Sequence, residues 1–147
     1  MQTTLLLLKP DCVAGRNVGE VIKRFEDEGF QVRGLKMFKP TLDVLKEHYA
    51  HLVDKPFFPE LETFMQSTPI VALALYGENA VETVRNLIGP TDSKKAAKGT
   101  IRGDFGVDVM VNIVHASDSL ENAHIELKRF FQPEELFSYE MHYTTKP

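Results

Sequence analysis

The chain has 147 residues, of which 43% are apolar and 26% charged, and its formal net charge is −4. These values predict one compact domain over residues 1–147, and the negative charge argues against general nucleic-acid binding, so any polyanion site must be a local basic pocket. A single cysteine, Cys12, excludes an intrachain disulfide framework. The apolar run from Leu5 to Leu8 is too short for a signal peptide or a membrane span, which favours a soluble, cytoplasmic protein.

Four segments have the apolar pattern of β-strands: Thr3–Leu8, Phe30–Phe38, Ile70–Tyr76 and Val107–Val114. A change of apolar phase at Gly34 predicts a β-bulge in the second strand. The third strand is almost wholly apolar, which is typical of a central strand covered on both faces.

Helical spacing predicts helices after Asn17, over Thr41–Val53 and Phe57–Gln66, after Asn79 and after Asp118. A glutamate three residues after each of Asn17, Asn79 and Asp118 favours these three as N-terminal caps. The last helix is predicted to bury one stripe: Leu120, Ala123, Leu127 and Phe130. Thr91 to Asp104 is a long polar segment and is interpreted as a functional loop.

The element order predicts the ferredoxin-like βαββαβ pattern of the α+β class (an α/β sandwich). In this pattern a four-stranded antiparallel sheet carries helices on one face, and here a helical hairpin is inserted. From Gln132 to Pro147 we expect an extended tail anchored by aromatic residues, Phe137, Tyr139 and Tyr143.

The sequence contains neither a Walker-type glycine loop, nor a dinucleotide fingerprint, nor cysteine and histidine at zinc-ligand spacing. Nucleotide chemistry would therefore rely on side-chain cations. Lys9, Arg85 and Arg102 are candidates for a phosphate clamp, since arginine suits bidentate binding of phosphate oxygens. The alternative interpretation is that all three are ordinary surface charges.

His115 follows an apolar strand and precedes the polar Ser117 and Asp118 at a predicted strand-to-helix turn. Imidazole is a good nucleophile near neutral pH, and such loops often hold catalytic groups. Alternatively, His115 bonds to Ser117 or Asp118 as a structural part of the helix start, where both residues would serve as caps.

Three further side chains also have two interpretations. Glu126 flanks the apolar stripe of the last helix and by default is a solvated charge. Phe57 can stack on a base or belong to the core, and Tyr49 is typical of packing as well as of catalysis.

Several segments, taken in order, closely resemble motifs of nucleoside diphosphate kinases, and the resemblance covers about residues 3 to 139. They are Leu8-Lys9-Pro10-Asp11, His48-Tyr49, Lys55-Pro56-Phe57-Phe58, the segment from Gly99 to Phe105, and the segment from Asn112 to Ser119. The last two are highly specific.

The resemblance implies that His115 takes the terminal phosphate of a nucleoside triphosphate and passes it to a diphosphate. It implies that Glu126 and Ser117 orient the imidazole, and that the base lies between Phe57 and Val109, with low base selectivity. The residues matching those that hold phosphates and sugar are Lys9, Tyr49, Arg85, Thr91, Arg102 and Asn112. Mg²⁺ would bind mainly through the nucleotide phosphates, with no metal site made by protein alone.

The resemblance also implies a homo-oligomer, with a hexamer favoured over a tetramer. Neither a membrane nor nucleic acid is expected as a partner, because the apolar run is short and the net charge is negative. Some positions depart from the commonest family pattern: Cys12, His51, Met110, Val111 and Ala116. No matched catalytic position is altered, although the effects of His51 and of Met110-Val111 stay open. A non-catalytic nucleotide-binding regulator or scaffold and a nucleic-acid-binding regulator are the alternatives, and loss of the histidine or of an arginine would have indicated the first.

Overall fold

The computed structural model describes residues 1–140, and their four strands form one antiparallel sheet. The strands are β1 (Gln2–Leu8), β2 (Gln31–Phe38), β3 (Ile70–Gly77) and β4 (Val114–Ala116), in the order β2-β3-β1-β4. This sheet confirms the predicted α+β, ferredoxin-like class. Tyr143, a predicted tail anchor, lies outside the described residues.

The described residues also form α-helices and short 3-10 helices. The α-helices are α1 (Pro10–Ala14), α2 (Val18–Asp27), α3 (Leu42–His48), α4 (Phe58–Gln66), α5 (Ala80–Ile88), α6 (Ile101–Phe105) and α7 (Leu120–Phe130). The 3-10 helices are Ala50–Leu52, Ser93–Lys95 and Pro133–Glu135. No helix in this part of the chain is long and apolar enough to cross a membrane.

The sheet lies between two hydrophobic cores because successive side chains of β1 point to opposite faces. Leu6 and Leu8 pack with residues of α2 and α5 on one face. Leu5 and Leu7 pack with residues of α3, α4 and α7 on the other face. The two helices of the ferredoxin pattern thus share one face as predicted, while the inserted hairpin and α7 cover the second.

The predicted bulge in β2 is confirmed, since the pairing with β3 shifts between Val32 and Gly34. The tail packs tightly here: a Cβ on Gly34 would lie 2.9 Å from a methyl of Leu136. Beyond that point the Phe137 N–H donates to the Arg33 carbonyl at 2.9 Å. The first residues of the predicted tail therefore run along the edge strand β2.

The predicted strand over Val107–Val114 is wrong, because β4 is limited to Val114–Ala116. The alternating valines resemble a strand, but the Asp108 carboxylate accepts hydrogen bonds from the N–H groups of Met110 and Val111 and closes a turn. Val107 and Val109 are left exposed. Local side-chain bonding to the backbone outweighed the apolar periodicity.

Three predicted helix details are also corrected. The side chains of Asn17 and Asn79 accept no capping hydrogen bond, and the cap of α7 is Ser119, not Asp118. Leu120 is 40% exposed and does not belong to the buried stripe. The predicted loop over Thr91–Asp104 contains a 3-10 helix and the start of α6.

Candidate active site

A cavity of about 820 Å³ lies between the α3–α4 hairpin, α7 and the segment that leads into β4. Its lining includes every candidate site residue except Ser117: Lys9, Tyr49, Phe57, Arg85, Thr91, Arg102, Val109, Asn112, His115 and Glu126. Residues more than a hundred positions apart in sequence are therefore brought together. Ser117 lies directly behind the lining and is fully buried.

His115 is held between the sheet and α7. It lies in β4 opposite Leu7 of β1, so its backbone is fixed by the sheet rather than by a loop. Its Nε2 lies 2.9 Å from Glu126 Oε1, and the Ser117 hydroxyl donates to the same oxygen at 2.7 Å. Burial opposes the charged form of Glu126, but the hydrogen bonds from His115 and Ser117 outweigh it and hold its pKa below the usual value.

This contact determines the state of the imidazole. A carboxylate can only accept, so the neutral ring carries its proton on Nε2 and keeps the lone pair on Nδ1. Among residues 1–140, Glu126 is the hydrogen-bond partner of the His115 ring. A quarter of the His115 side chain is exposed. Nδ1 is therefore available as a nucleophile.

A strained turn sets the position of β4. The Val114 N–H donates to the Asn112 carbonyl at 2.8 Å, and Ile113 between them has a φ of 74°. This is the rare form of the γ-turn, which is unfavourable for a β-branched residue. The Asp11 carboxylate stabilises it by accepting the Ile113 N–H at 2.8 Å. Strain of this kind persists where its surroundings enforce it, here two residues before His115.

Lys9 is a buried cation at the base of the cavity. Its ammonium donates to the Met110 carbonyl at 2.6 Å and to Asn112 Oδ1 at 2.7 Å. Burial lowers its pKa to about 8, opposed by Asp11 and assisted by Arg102. Two of its three protons are thus committed to the protein, which fixes the position of the charge.

Arg102 also lines the cavity and is buried. It donates to the carbonyls of Gly89 at 3.1 Å, Asn112 at 3.2 Å and Val114 at 2.8 Å. Burial, and then the charge of Arg85, lowers its pKa to about 10. Neither Lys9 nor Arg102 is an ordinary surface charge, whereas Arg85 is exposed at the edge of the cavity.

Asn112 joins these groups. Its side-chain oxygen accepts from Lys9, and its amide nitrogen donates to the carbonyls of Thr91 at 3.0 Å and Val109 at 2.9 Å. The amide therefore ties together three parts of the cavity wall. This explains why the segment before β4 is irregular, since its carbonyls serve the cations rather than a strand.

The mouth of the cavity is lined by exposed apolar side chains, unlike the base with its buried cations. Phe57 is 43% exposed and Val109 60% exposed, while Phe58 belongs to the core. His51 also lines this side and is exposed. Tyr49 packs against the core, and burial raises the pKa of its hydroxyl.

Four residues of the site were not among the candidates from sequence, although three of them, Asp11, His48 and Asp118, lie within the family motifs. Asp11 supports the turn at Ile113, and Asp118 lines the cavity while its carboxylate accepts from the Asn122 amide. His48 packs edge-to-face on His115, with 4.4 Å between ring centroids, and Arg129 bonds to His48. A signal for Arg129 existed, because it lies three residues after Glu126 and hence on the same helix face.

Comparisons with known proteins agree with this arrangement. The family model for nucleoside diphosphate kinase matches residues 2–136. A nucleoside diphosphate kinase of Parabacteroides distasonis is 48% identical over 141 residues, which cover 96% of this chain and 92% of that protein. A solved nucleoside diphosphate kinase family structure from Babesia bovis has a TM-score of 0.92 at 42% identity, covering 97% of this chain and 96% of that one.

A second solved structure is similar to the same extent. The Halobacterium salinarum nucleoside diphosphate kinase, determined in complex with CDP, has a TM-score of 0.92 at 36% identity and covers 96% of this chain and 94% of its own. The sequence motifs, the fold and the cavity lead to the same assignment. The chain belongs to the nucleoside diphosphate kinase family.

Proposed function

We propose that this enzyme transfers the terminal phosphate of a nucleoside triphosphate to a nucleoside diphosphate through a phosphohistidine at His115. Phosphate transfer between nucleotides is the activity of the family to which the chain belongs. The observation that supports the role of His115 is its Nε2–Glu126 hydrogen bond, which leaves Nδ1 with a lone pair in a cavity that Lys9, Arg85 and Arg102 also line. A non-catalytic role is not favoured.

In the first half of the reaction, Nδ1 of His115 attacks the terminal phosphorus, and the bond to the diphosphate oxygen breaks. The imidazole gains charge as the N–P bond forms, and the Glu126 carboxylate stabilises it through Nε2. Phosphoryl transfer depends chiefly on positioning and on neutralising charge at the phosphate oxygens. Lys9, Arg85 and Arg102 supply the positive field, and Thr91 and Asn112 add polar contacts.

In the second half, a diphosphate occupies the same cavity and its terminal oxygen attacks the phosphohistidine. That oxygen is already ionised near pH 7, so no general base is needed. One phosphate site thus serves donor and acceptor in turn, which predicts ping-pong kinetics.

Mg²⁺ would travel with the nucleotide. Of the described residues that line the cavity, two carry carboxylates, Asp118 and Glu126, and Glu126 is already bonded to His115 and Ser117. Mg²⁺ prefers several oxygen ligands and retains its waters, so the fit is to an ion bound mainly by phosphates, with Asp118 contacting its water shell. The ion would neutralise charge on the phosphate oxygens.

Intact-mass spectrometry tests the role of His115. Enzyme mixed with magnesium and triphosphate, but without an acceptor, should gain one phosphate that mild acid removes. The variant His115→Ala should gain none, yet should still bind diphosphate because Lys9, Arg85 and Arg102 remain. Equal phosphorylation of this variant would show that another residue carries the phosphate.

The assembly is part of the same proposal, and we favour a hexamer over a tetramer. Phe137 and Tyr139 in the tail are 62% and 45% exposed, and the edge strand β2 exposes Leu35 and Met37. Apolar residues at a sheet edge are typical of a surface covered by another subunit. Light scattering after size-exclusion chromatography would measure the mass, and a monomer would contradict this expectation.

A cytoplasmic location stays a prediction. Burial raises the pKa of the single thiol, Cys12, to about 12, so it stays a protonated, packed side chain that needs no oxidising compartment.

A further inference from the structure

His48 forms a wall of the nucleophile's pocket. It is the last residue of α3 and is 7% exposed. Its ring meets those of His115 at 4.4 Å, Tyr49 at 4.7 Å and Phe130 at 5.0 Å between centroids, each edge-to-face. A ring nitrogen of His48, a ring nitrogen of His115 and a carboxylate oxygen of Glu126 all lie within 4.8 Å of one another. A second imidazole is therefore close enough to interfere with the His115–Glu126 pair.

Arg129 determines which ring nitrogen of His48 carries the proton. Its Nη1 lies 2.9 Å from His48 Nδ1, and a guanidinium can only donate, so Nδ1 must be the acceptor. The neutral ring then has its proton on Nε2, and this buried Nε2 has no hydrogen-bond partner among residues 1–140. Arg129 itself is 12% exposed, and its Nε lies 3.3 Å from the Glu47 carboxylate, close enough for an ion pair.

The other tautomer would be harmful. With its proton on Nδ1, His48 would present a lone pair at Nε2, and a small rotation would let it accept the His115 proton in competition with Glu126. His115 would then lose the orientation that leaves Nδ1 free. The Nε2–H tautomer cannot compete, because it has no lone pair at that nitrogen.

We infer that Arg129 is a positioning residue, which acts through His48 to keep the His115–Glu126 hydrogen bond exclusive. This inference rests on the proposed role of His115. The charges that face His48 agree with it. Burial, then His115, lowers the pKa of His48 to about 3, Glu126 opposes this, and Arg129 and His51 assist. His48 thus stays neutral, and the remaining choice is between its two tautomers.

The test compares Arg129→Met, which removes the donor, with Arg129→Lys, which keeps a donor and a charge. Nitrogen NMR of the histidine rings reports the tautomer, with the His48 signals assigned by their loss in His48→Phe. In Arg129→Met we expect the Nδ1–H form of His48 to appear and phosphorylation in a single turnover to slow by about 10-fold, as for other supporting partners of a reactive histidine. Diphosphate affinity should not change, and Arg129→Lys should recover most of the rate.

A double-mutant cycle separates this role from a structural one. His48→Phe keeps a ring but removes both nitrogens, so adding Arg129→Met to it should slow phosphorylation no further than His48→Phe does alone. A tenfold loss from Arg129→Met in that background, or an unchanged His48 tautomer in Arg129→Met alone, would overturn the inference. If Arg129→Met alone does not fold, Arg129→Lys still tests the inference, because a tenfold loss in that variant with the His48 tautomer unchanged would overturn it.

Failure of this inference differs from failure of the proposed function. If His115 is not the nucleophile, the alanine variant at that position still takes up phosphate in the mass measurement. If only the role of Arg129 is wrong, wild type is phosphorylated on His115 and Arg129→Met is phosphorylated at the same rate.

Discussion

The floor and the rim of the cavity are built differently. The floor (Lys9, Arg102, Asn112, His115 and Glu126) is buried or half-buried, and each side chain has hydrogen-bond partners at defined distances. The rim (Phe57 and Val109) is apolar and about half exposed. The hydrogen bonds of the floor hold the cations and the His115 ring in fixed positions, whereas the exposed apolar pair of the rim can contact any flat base. The floor is therefore suited to a defined reaction and the rim to varied bases.

The largest effect is expected from the floor, at Glu126. Glu126→Gln keeps the size of the side chain but removes the charge that, in the proposed mechanism, stabilises the imidazole as the N–P bond forms. Supporting groups of this type typically contribute about 10- to 100-fold, so phosphorylation in a single turnover should slow by that factor. Diphosphate binding, measured by calorimetry, should remain nearly unchanged because the three cations are intact.

Ser117→Ala provides the matched control, since it removes one donor to Glu126 but leaves the charge. It should slow the same step by less than Glu126→Gln does. Wild-type kinetics in Glu126→Gln would mean that the Glu126 charge does not contribute to the reaction, although the side chain contacts His115.

Periodicity was sufficient for most of the fold. The apolar runs predicted β1, β2 and β3, and the phase change at Gly34 predicted the bulge. The three cations and His115 could be named as candidates from the residues, but only the family motifs decided between their two interpretations and named the other site residues, because the partners are far apart in sequence. Ser117 and Glu126 both follow His115 within a short stretch of sequence, but Lys9 meets Asn112 across more than a hundred residues.

The errors have physical causes that a pattern does not contain. Val107–Val114 alternates like a strand, yet the Asp108 carboxylate and the cations bond its backbone and prevent pairing. The left-handed Ile113 is unpredictable because the Asp11 carboxylate that stabilises it comes from the other end of the chain. Arg129 was not among the candidates, because its buried partner His48 lies beside it only once α3 packs on α7.

The next largest effect is expected at Lys9 in the floor, where the affinity for diphosphate should depend on pH. Burial lowers the pKa of Lys9 to about 8, so the ammonium loses its charge as pH rises through that value. Diphosphate prefers the charged form, and its affinity should fall by up to about tenfold per pH unit above 8, until the higher pKa of the complex is reached. Isothermal titration calorimetry from pH 7 to 9.5 measures this slope.

Lys9→Met is the control, and its weaker binding should lose this dependence on pH. The stability of the fold should change with pH in the opposite direction to the binding of diphosphate. Between pH 8 and the ordinary lysine pKa, the unfolded chain binds the Lys9 proton and the folded chain does not, so the free energy of unfolding rises with pH relative to Lys9→Met. An identical slope of binding in wild type and Lys9→Met would mean that Lys9 does not titrate in this range.

The smallest effect is expected at the rim. Stacking of a base on an aromatic ring contributes roughly 1–3 kcal/mol, and the lower end applies to a ring as exposed as Phe57. Phe57→Ala should therefore raise KM by about fivefold on average, and by more for the better-stacking purines, while kcat stays the same, since the base is held equally in the ground and transition states. Phe57→Tyr keeps the stacking surface and should behave like wild type.

The spread among bases tests whether the rim is only an apolar clamp. Strong discrimination requires polar groups that are left unpaired by the wrong base, and neither Phe57 nor Val109 supplies one. Values of kcat/KM for purine and pyrimidine diphosphates should then lie within about two to three orders of magnitude, with the better-stacking purines ahead. Phe57→Ala should narrow that spread, because it removes the stacking surface that ranks the bases. A preference for one base of about five orders of magnitude, or a spread unchanged in Phe57→Ala, would show that polar groups deeper in the cavity read the base.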